Sequence, residues 1–487
     1  MKHKALRIAS IVFAAYLILG ALFYFIAGDS LHFTKDTTDT VSSKGVIAEF
    51  AAGDDLEQKF TCPFDELESF SIKIARAGDS IVGVKLYEDG SDTPVFESET
   101  KTKGLRDDAD YRILLEKPIK NAKGKTFKVR LENLSSSDKN SVTFYYGNTV
   151  DSGRFSIQQE IDENEVLYVE GQPQKDSDGN TCTLCLTVTG INRHFFGPNY
   201  WYFYGGGALL IALWLGYLLL RRSHGKSTLA LDVIQSLSKY SFLIRQLVSR
   251  DFKTKYKRSV LGMLWSFLNP LLTMSIQYVV FSTIFRSNID NFAVYLLCGI
   301  VCFNFFNEAT NMCLMSIVSN ASLINKVYVP KYIYPFSRTL SSSINLLLSL
   351  VPLFIMLLVT QTPITTAILL LPFALLMLFM LSYGVGLLLA TMMVFFRDTQ
   401  FLWGIFSMLL MYLTPVFYPE SIIPAQFMTV YKLNPLYHVL RFIRSILMNG
   451  ASLEPKAYLY CFVLCAIPFL IGVIVFRKNQ DKFVLNI

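Results

Sequence analysis

No segment of this sequence reads as a loop that cradles a nucleotide phosphate. Its one GKS triplet, Gly225 to Ser227, has Leu220 where such a loop requires its first glycine, and it follows an apolar run instead of a strand. Nucleotide is therefore not expected on this chain. Histidine is scarce, at 5 of 487 residues, and the soluble-looking cysteines have no histidine neighbours, so no metal site is expected. No DxD-like acidic pair borders an apolar run, and Glu308 and His438 fall in different regions, which leaves general acid–base chemistry without residues. Charged residues make up 17% of the chain, and the basic ones gather at alternate loops between apolar runs, which argues against a nucleic-acid patch.

Cysteine usage excludes little. Of eight cysteines, Cys298, Cys302, Cys313, Cys461 and Cys465 lie in apolar runs, where the residue behaves as a small hydrophobe. Cys182 and Cys185 would point to opposite faces of an extended strand, so no local bridge is expected between them. Cys62 can pair with either one in an oxidising exterior.

Apolar length is what the sequence has in abundance. Hydrophobic residues make up 52% of it, mean hydropathy is +0.38, and runs long enough for a ~30 Å hydrocarbon core recur. The first, about 7–27, follows Met1, Lys2, His3 and Lys4; it is long for a signal-peptide core and no small-x-small site precedes Asp29, so an uncleaved anchor is expected. The second, Tyr200 to Leu220, ends in Arg221, Arg222, His224 and Lys226. Six more follow, at about 261–285, 292–318, 332–360, 364–395, 400–418 and 457–476, with Lys326, Lys331, Arg338, Arg397, Asp398, Arg477, Lys478 and Lys482 at the loops expected inside. Both termini are then cytoplasmic and residues 29–199 lie outside. Those residues hold 20 Lys and Arg against 30 Asp and Glu, and the rest of the chain 25 against 8, so an acidic exterior segment is set against a basic membrane part.

The exterior segment alternates with period two, as in Ser69–Ala75, Ile81–Tyr87, Phe127–Leu131 and Ser141–Tyr146, between Gly, Asp, Asn and Pro clusters. About eight short strands at that spacing suggest a two-sheet, jelly-roll-like sandwich of the kind found in carbohydrate-binding modules. Tyr87, Tyr111, Tyr145, Tyr146 and Tyr168 are the side chains there able to stack on sugar rings, or to pack a core. The expected organisation is an N-terminal membrane anchor at 1–28, an extracytoplasmic β-sandwich at 29–199, a second span at 200–222, a cytoplasmic amphipathic interface helix at 223–260 and a six-span α-helical core at 261–487.

Three segments of the membrane part stand out. Arg250, Lys253, Lys255, Lys257 and Arg258 precede the run from Leu261 to Phe285, and upstream of them Val233, Leu237, Leu243, Leu247 and Phe252 recur as one helix face, which fits a helix lying along the headgroups. In Ser319–Pro330, Asn320 can cap a short helix through Ile324 and Val327 that Pro330 ends. Residues 415–450 keep helical apolar spacing despite Pro415, Pro419, Pro424 and Pro435, which reads as two short re-entrant helices.

From about residue 232 onward the chain resembles the permease subunit of ABC exporters of polysaccharides and teichoic acids. The motifs are RDFKTKYKRSVLGMLWSFLNPLL from Arg250, FNFFNEATNMCLMSIVSNASLINKVYVPKYIYP from Phe303, FFRDTQFLWGIFSMLLMYLTPVFYP from Phe395 and YKLNPLYHVLRFIR from Tyr431. The resemblance implies export of a lipid-linked glycan by a homodimer of this chain, driven by two copies of a separate ATPase that holds ATP and Mg2+. It implies a coupling helix at Asn320, Ala321, Ser322, Leu323, Ile324, Asn325 and Lys326 that docks on the ATPase, with Arg397 and Asp398 on a second short turn. The usual family member begins near the interface helix; this chain adds two spans and the sandwich.

Within that reading each substrate end asks for its own chemistry. A diphosphate head is met by Arg250, Lys253, Lys255, Lys257 and Arg258. A sliding sugar chain is met by smooth aromatic walls, for which the candidates are Trp265, Phe267, Phe303, Phe306, Tyr334, Phe336, Trp403 and Tyr412. Tyr437, His438, Arg441 and Arg444 are expected at an outer gate, and Glu308 with Asn304, Asn307 and Asn311 inside the bundle, because a lipid-facing carboxylate costs ~3 kcal/mol. An exporter of drugs or small lipids would share the motor contacts without the aromatic wall. A membrane-bound glycosyltransferase would need the missing acidic pair.

Overall fold

The computed structural model describes residues 2–486 apart from 40–44, 47–49, 51–52, 77–79, 103–108, 135–141, 148, 152–155, 159–165, 170–171, 176–180, 224–235, 257–260, 263, 286–290, 363 and 421–422. Two compact units emerge, His32–Gly197 on the one hand and Met1–Leu31 with Pro198–Ile487 on the other.

In the first unit, alternation turns Leu56, Gln58 and Phe60 inward from Asp55–Thr61 and Phe127, Val129 and Leu131 inward from Thr126–Asn133. One antiparallel sheet of six strands runs in the order Gln172–Pro173, Leu167–Val169, Asp55–Thr61, Thr126–Asn133, Ile81–Glu88, Phe96–Lys101. Another, of seven strands, is centred on Glu66–Arg76 and Leu186–Arg193. Their inner faces share one core, in which Phe60 lies 5.9 Å from Phe127 and 6.5 Å from Phe70 between ring centroids. Most of the fifteen strands among the described residues are short, and several last two or three residues, which is why reading the pattern by eye finds only about half of them. A buried amide of this core, Gln58, donates to Thr183 Oγ1 at 2.6 Å and accepts from the Leu184 amide at 3.0 Å.

No disulfide joins Cys62 to Cys182 or Cys185. Cys62 donates to the Phe64 carbonyl at 3.6 Å, and burial pushes the Cys185 thiol up to about 12. Of the tyrosines, Tyr87 lies under Lys128, Tyr145 under Lys73, and Tyr111 donates to Thr100 Oγ1.

The second unit is helical. Helices α1 (Lys2–Ala27) and α2 (Phe196–Ser223) interlock by a reciprocal device: a Cβ on Gly20 would run into the Tyr204 ring, and one on Gly207 into the Tyr16 hydroxyl. Tyr204 donates to the Leu17 carbonyl at 2.7 Å and Tyr200 to the Gly20 carbonyl at 2.6 Å. Small residues let the backbones approach, and the hydroxyls then bond across. Phe23 of α1 meets Tyr458 edge-on at 5.1 Å, which seats this hairpin on the bundle.

The interface helix α3 (Ser241–Tyr256) precedes α4 (Leu264–Phe285), α5 (Phe292–Leu314), the single turn α6 (Ala321–Ile324), α7 (Ile333–Val359), α8 (Leu371–Phe395) and α9 (Thr399–Leu413). The outer hairpin follows as α10 (Ala425–Leu433) and α11 (Pro435–Leu447), and α12 (Pro455–Asn479) closes the bundle. Among the described residues, α4, α5, α7, α8 and α12 are long and apolar enough to cross a membrane. Helix α5 is the hub, with 78% of its span buried. Helix α9 is shorter than its sequence suggests. Its 15 residues rise only about 22 Å, because Thr414 leaves the helical backbone and Pro415 follows.

Candidate functional site

Helix α3 is amphipathic, but its apolar face meets protein. Ile244, Leu247 and Val248 are buried in a cluster with Ile317, Ile324, Ile333, Tyr334 and Val394, which ties α3 to the turn α6 and to the start of α7. Leu237 and Leu243 pack against the same cluster; Val233 lies outside the described residues.

The polar side of this junction opens into a pocket of about 670 Å3 lined by Arg250, Asp251, Lys255, Glu308, Arg338 and Asn345, with Phe252, Thr254, Met312, Ser319 and Ser341 between them. Three cations face two carboxylates there. Asp251 is the hub: its Oδ1 accepts from Arg338 at 2.9 Å and from Arg250 at 3.3 Å, and its side chain is 4% exposed. Lys255 donates to Glu308 Oε1 at 2.8 Å, and Asn345 donates to the same oxygen at 2.6 Å. Arg250 and Lys255 keep 49% and 44% of their side chains exposed, so their charges remain available at the mouth. A buried carboxylate holding two guanidiniums, with half-exposed cations around it, is an arrangement that can receive an anionic group.

The expected cation set is thus only partly assembled. Arg250 and Lys255 line the pocket, Lys253 is exposed on α3 outside it, and Lys257 and Arg258 lie outside the described residues. Arg338 and Asp251 are the members that sequence reasoning missed. In the sequence Asp251 is only one acid diluting a basic run, and Arg338 sits 88 residues away from Arg250 and carries no local signal.

Asn320 precedes α6 as anticipated, but its side chain does not cap it. The amide turns back instead, its Nδ2 donating to the Ser316 carbonyl at 2.7 Å and its Oδ1 accepting from Arg250 at 3.2 Å. The helix stops at Ile324, well short of Val327. Ser322, Asn325 and Lys326 are exposed, Ala321 and Leu323 half-buried and Ile324 buried, while Tyr328, not singled out from sequence, is 92% exposed. Arg397 and Asp398 are both exposed and form no ion pair with each other.

The aromatic candidates divide. Trp265 and Tyr412 are exposed, Phe267 and Phe336 half-buried, and Phe303, Phe306, Tyr334 and Trp403 buried. Phe306 packs on Trp403 at 6.1 Å and on Phe303 at 6.3 Å, so within one copy these rings form core and no wall. Asn307 accepts from Ser407 at 2.8 Å and Asn311 bonds back to Asn307, while Asn304 is exposed.

The four outer residues also divide. Arg444 is buried and donates to the carbonyls of Pro415 at 2.6 Å, Val416 at 3.0 Å and Tyr295 at 3.2 Å, with its guanidinium over the Tyr295 ring. It closes the backbone groups that the proline-rich turn leaves open. Tyr437 is buried against Glu420, and His438 contacts the Lys432 carbonyl at 2.7 Å. Only Arg441 is exposed. Asn434 caps α11 through the Leu436 amide at 3.0 Å.

Residues 243–448 match the ABC-2 type transporter family. The chain is 28% identical over 242 residues to the O-antigen export system permease protein RfbA of Klebsiella pneumoniae, covering 50% of this chain and 93% of that protein. A Myxococcus xanthus protein of the same name is 27% identical over 259 residues, 52% of this chain and 99% of its own length. The polysialic acid transport protein KpsM of Escherichia coli is 25% identical over 252 residues, 50% of this chain and 95% of its own. Nearly whole relatives therefore align to half of this chain.

Proposed function

We infer that this chain, a member of the ABC-2 type transporter family through residues 243–448, is the membrane subunit of an exporter that carries a polysaccharide across the cytoplasmic membrane on the work of a separate ATPase. It is a permease rather than an enzyme, as are relatives named for O-antigen and polysialic acid transport. The observation that carries the finer reading is the pocket around Asp251, where Arg250, Lys255 and Arg338 outnumber Asp251 and Glu308 beside the base of the bundle. A net cationic pocket at a membrane entrance suits the diphosphate head of a lipid-linked glycan, teichoic acid included.

In this proposal two copies of the chain form the conduit, and each meets one of two ATPase subunits through α6 with Asn325 and Lys326; Tyr328 adds an exposed aromatic to that contact. The half-exposed and exposed aromatics, Trp265, Phe267, Phe336 and Tyr412, are the ones positioned to line a path between copies. Both termini are cytoplasmic, and the β-sandwich unit stands outside, where its tyrosines can contact the emerging sugar. Arg250→Gln with Lys255→Gln should reduce surface polymer at least about tenfold while the protein still inserts and still binds its ATPase; the loss corresponds to about 1.4 kcal/mol or more of lost anion binding. Undiminished surface polymer in that variant refutes the entrance.

A further inference from the structure

Arg250 is held from two directions. Its Nη2 donates to Asn320 Oδ1 at 3.2 Å and reaches Asp251 Oδ1 at 3.3 Å, while 49% of its side chain stays open to the pocket. Asn320 is the residue from which α6, the turn assigned to the ATPase contact, departs. Asp251 meanwhile loads both guanidiniums onto Oδ1 and leaves its buried Oδ2 without a hydrogen-bond partner. A carboxylate presents two oxygens to the fork of a guanidinium, and an unpaired buried oxygen is costly. In a second arrangement Arg338 would give up its 3.2 Å bond to Ser319 Oγ, take both oxygens of Asp251 and leave Arg250 free to move.

We propose that Arg250 is a two-position switch that reports diphosphate occupancy of this pocket to the ATPase-coupling turn. Asn320 and Asp251 pin it in the one position. A diphosphate oxygen draws it off, Arg338 takes over Asp251, and the Asn320 side chain loses its polar tether to α3, which leaves the turn that follows held by the apolar contacts of Ile324. Asn320 and Asp251 are positioning residues in this scheme, because they act on the anion only through Arg250. The inference rests on the reading of the pocket as a diphosphate entrance. Reciprocity follows: whatever pins Arg250 weakens the anion, and the anion loosens the coupling turn by the same factor.

Substitutions at Asn320 separate this from a merely structural role, because they should move affinity in opposite directions. The complex of the chain with its ATPase in detergent is titrated calorimetrically with farnesyl diphosphate and with inorganic pyrophosphate. Asn320→Ala removes the tether and should tighten both probes about fivefold; Asn320→Asp strengthens it and should weaken both about threefold or more. Backbone hydrogen exchange over residues 318–327 should rise on adding farnesyl diphosphate to the unsubstituted complex, and should already be high, and unresponsive, in Asn320→Ala. Binding by the unsubstituted complex with both variants unchanged, or both weakened, overturns the switch while leaving the entrance standing. No binding of either probe to the unsubstituted complex sinks the diphosphate reading and the switch with it. Affinity shifts seen with phosphatidylglycerol micelles and not with the two diphosphates assign the pocket to bulk headgroups, and overturn the proposal as well.

Discussion

At the scale of single residues, the buried polar groups do the most specific work. Arg444 supplies three carbonyls around Pro415 with donors that the backbone there cannot provide. Arg444→Met should destabilise the protein by ~3 kcal/mol, since several buried acceptors lose their partner at once, and the thermal midpoint in detergent should fall by several degrees; Arg444→Lys should recover part of the loss. In the β-sandwich unit the Cys185 thiol stays protonated at neutral pH, because burial raises it to about 12 from an ordinary 9.0. The sign follows directly. A folded value above the unfolded one means stability that is intact below about pH 9 and drains as pH rises toward about 12. Thermal melts of the full chain should show this unit weakening across that window, and Cys185→Ala should flatten the slope; an equal slope in the variant would exclude the thiol as the cause. Asp251 illustrates how a residue can hide in a sequence. Among Arg250, Lys253 and Lys255 it looks like charge dilution, and only the return of Arg338 from α7 makes it a hub.

Helices and turns were legible where one-dimensional pattern decides them. Of the eight apolar runs, five became α4, α5, α7, α8 and α12, whereas among the described residues those at 7–27, 200–220 and 400–418 are not among the helices long and apolar enough to span; Pro435, read from the sequence as an interruption, instead opens α11 behind the Asn434 cap. Pattern fails where a side chain has two local choices. Asn320 has the cap position but turns its amide back to the Ser316 carbonyl one turn earlier and to Arg250, which lies next to it only after α3 folds against α6. The aromatic run around Phe303 and Phe306 failed for a related reason: ring content does not say which helix face meets Trp403. The α1–α2 hairpin is held by complementary sizes, and Gly20→Leu should push on the Tyr204 ring and cost about 1–3 kcal/mol by overpacking. Combined with Tyr204→Ala the penalty should shrink, as read from thermal midpoints of the single and double variants; additive losses would mean that the two positions do not share a contact.

For the whole molecule, the chain joins an all-β unit at His32–Gly197 to a permease that relatives align with over about half of its length. Composition separates them in advance, since the acidic, period-two segment and the basic, apolar remainder cannot form one core. What composition leaves open is the machinery, because the pocket draws on α3, α5 and α7 and so exists only after folding. In the proposed function a conduit without its own motor admits a diphosphate head beside Asp251 and moves it when a partner hydrolyses ATP. The direct measurement is translocation of a fluorescent polyisoprenyl-diphosphate oligosaccharide in proteoliposomes holding this chain and its ATPase, scored by protection from an external quencher. Protection should grow only with ATP and the ATPase present, and should fall at least about tenfold with Arg250→Gln and Lys255→Gln together, matching a loss of about 1.4 kcal/mol or more. Equal protection without the ATPase, or with both cations removed, would contradict it.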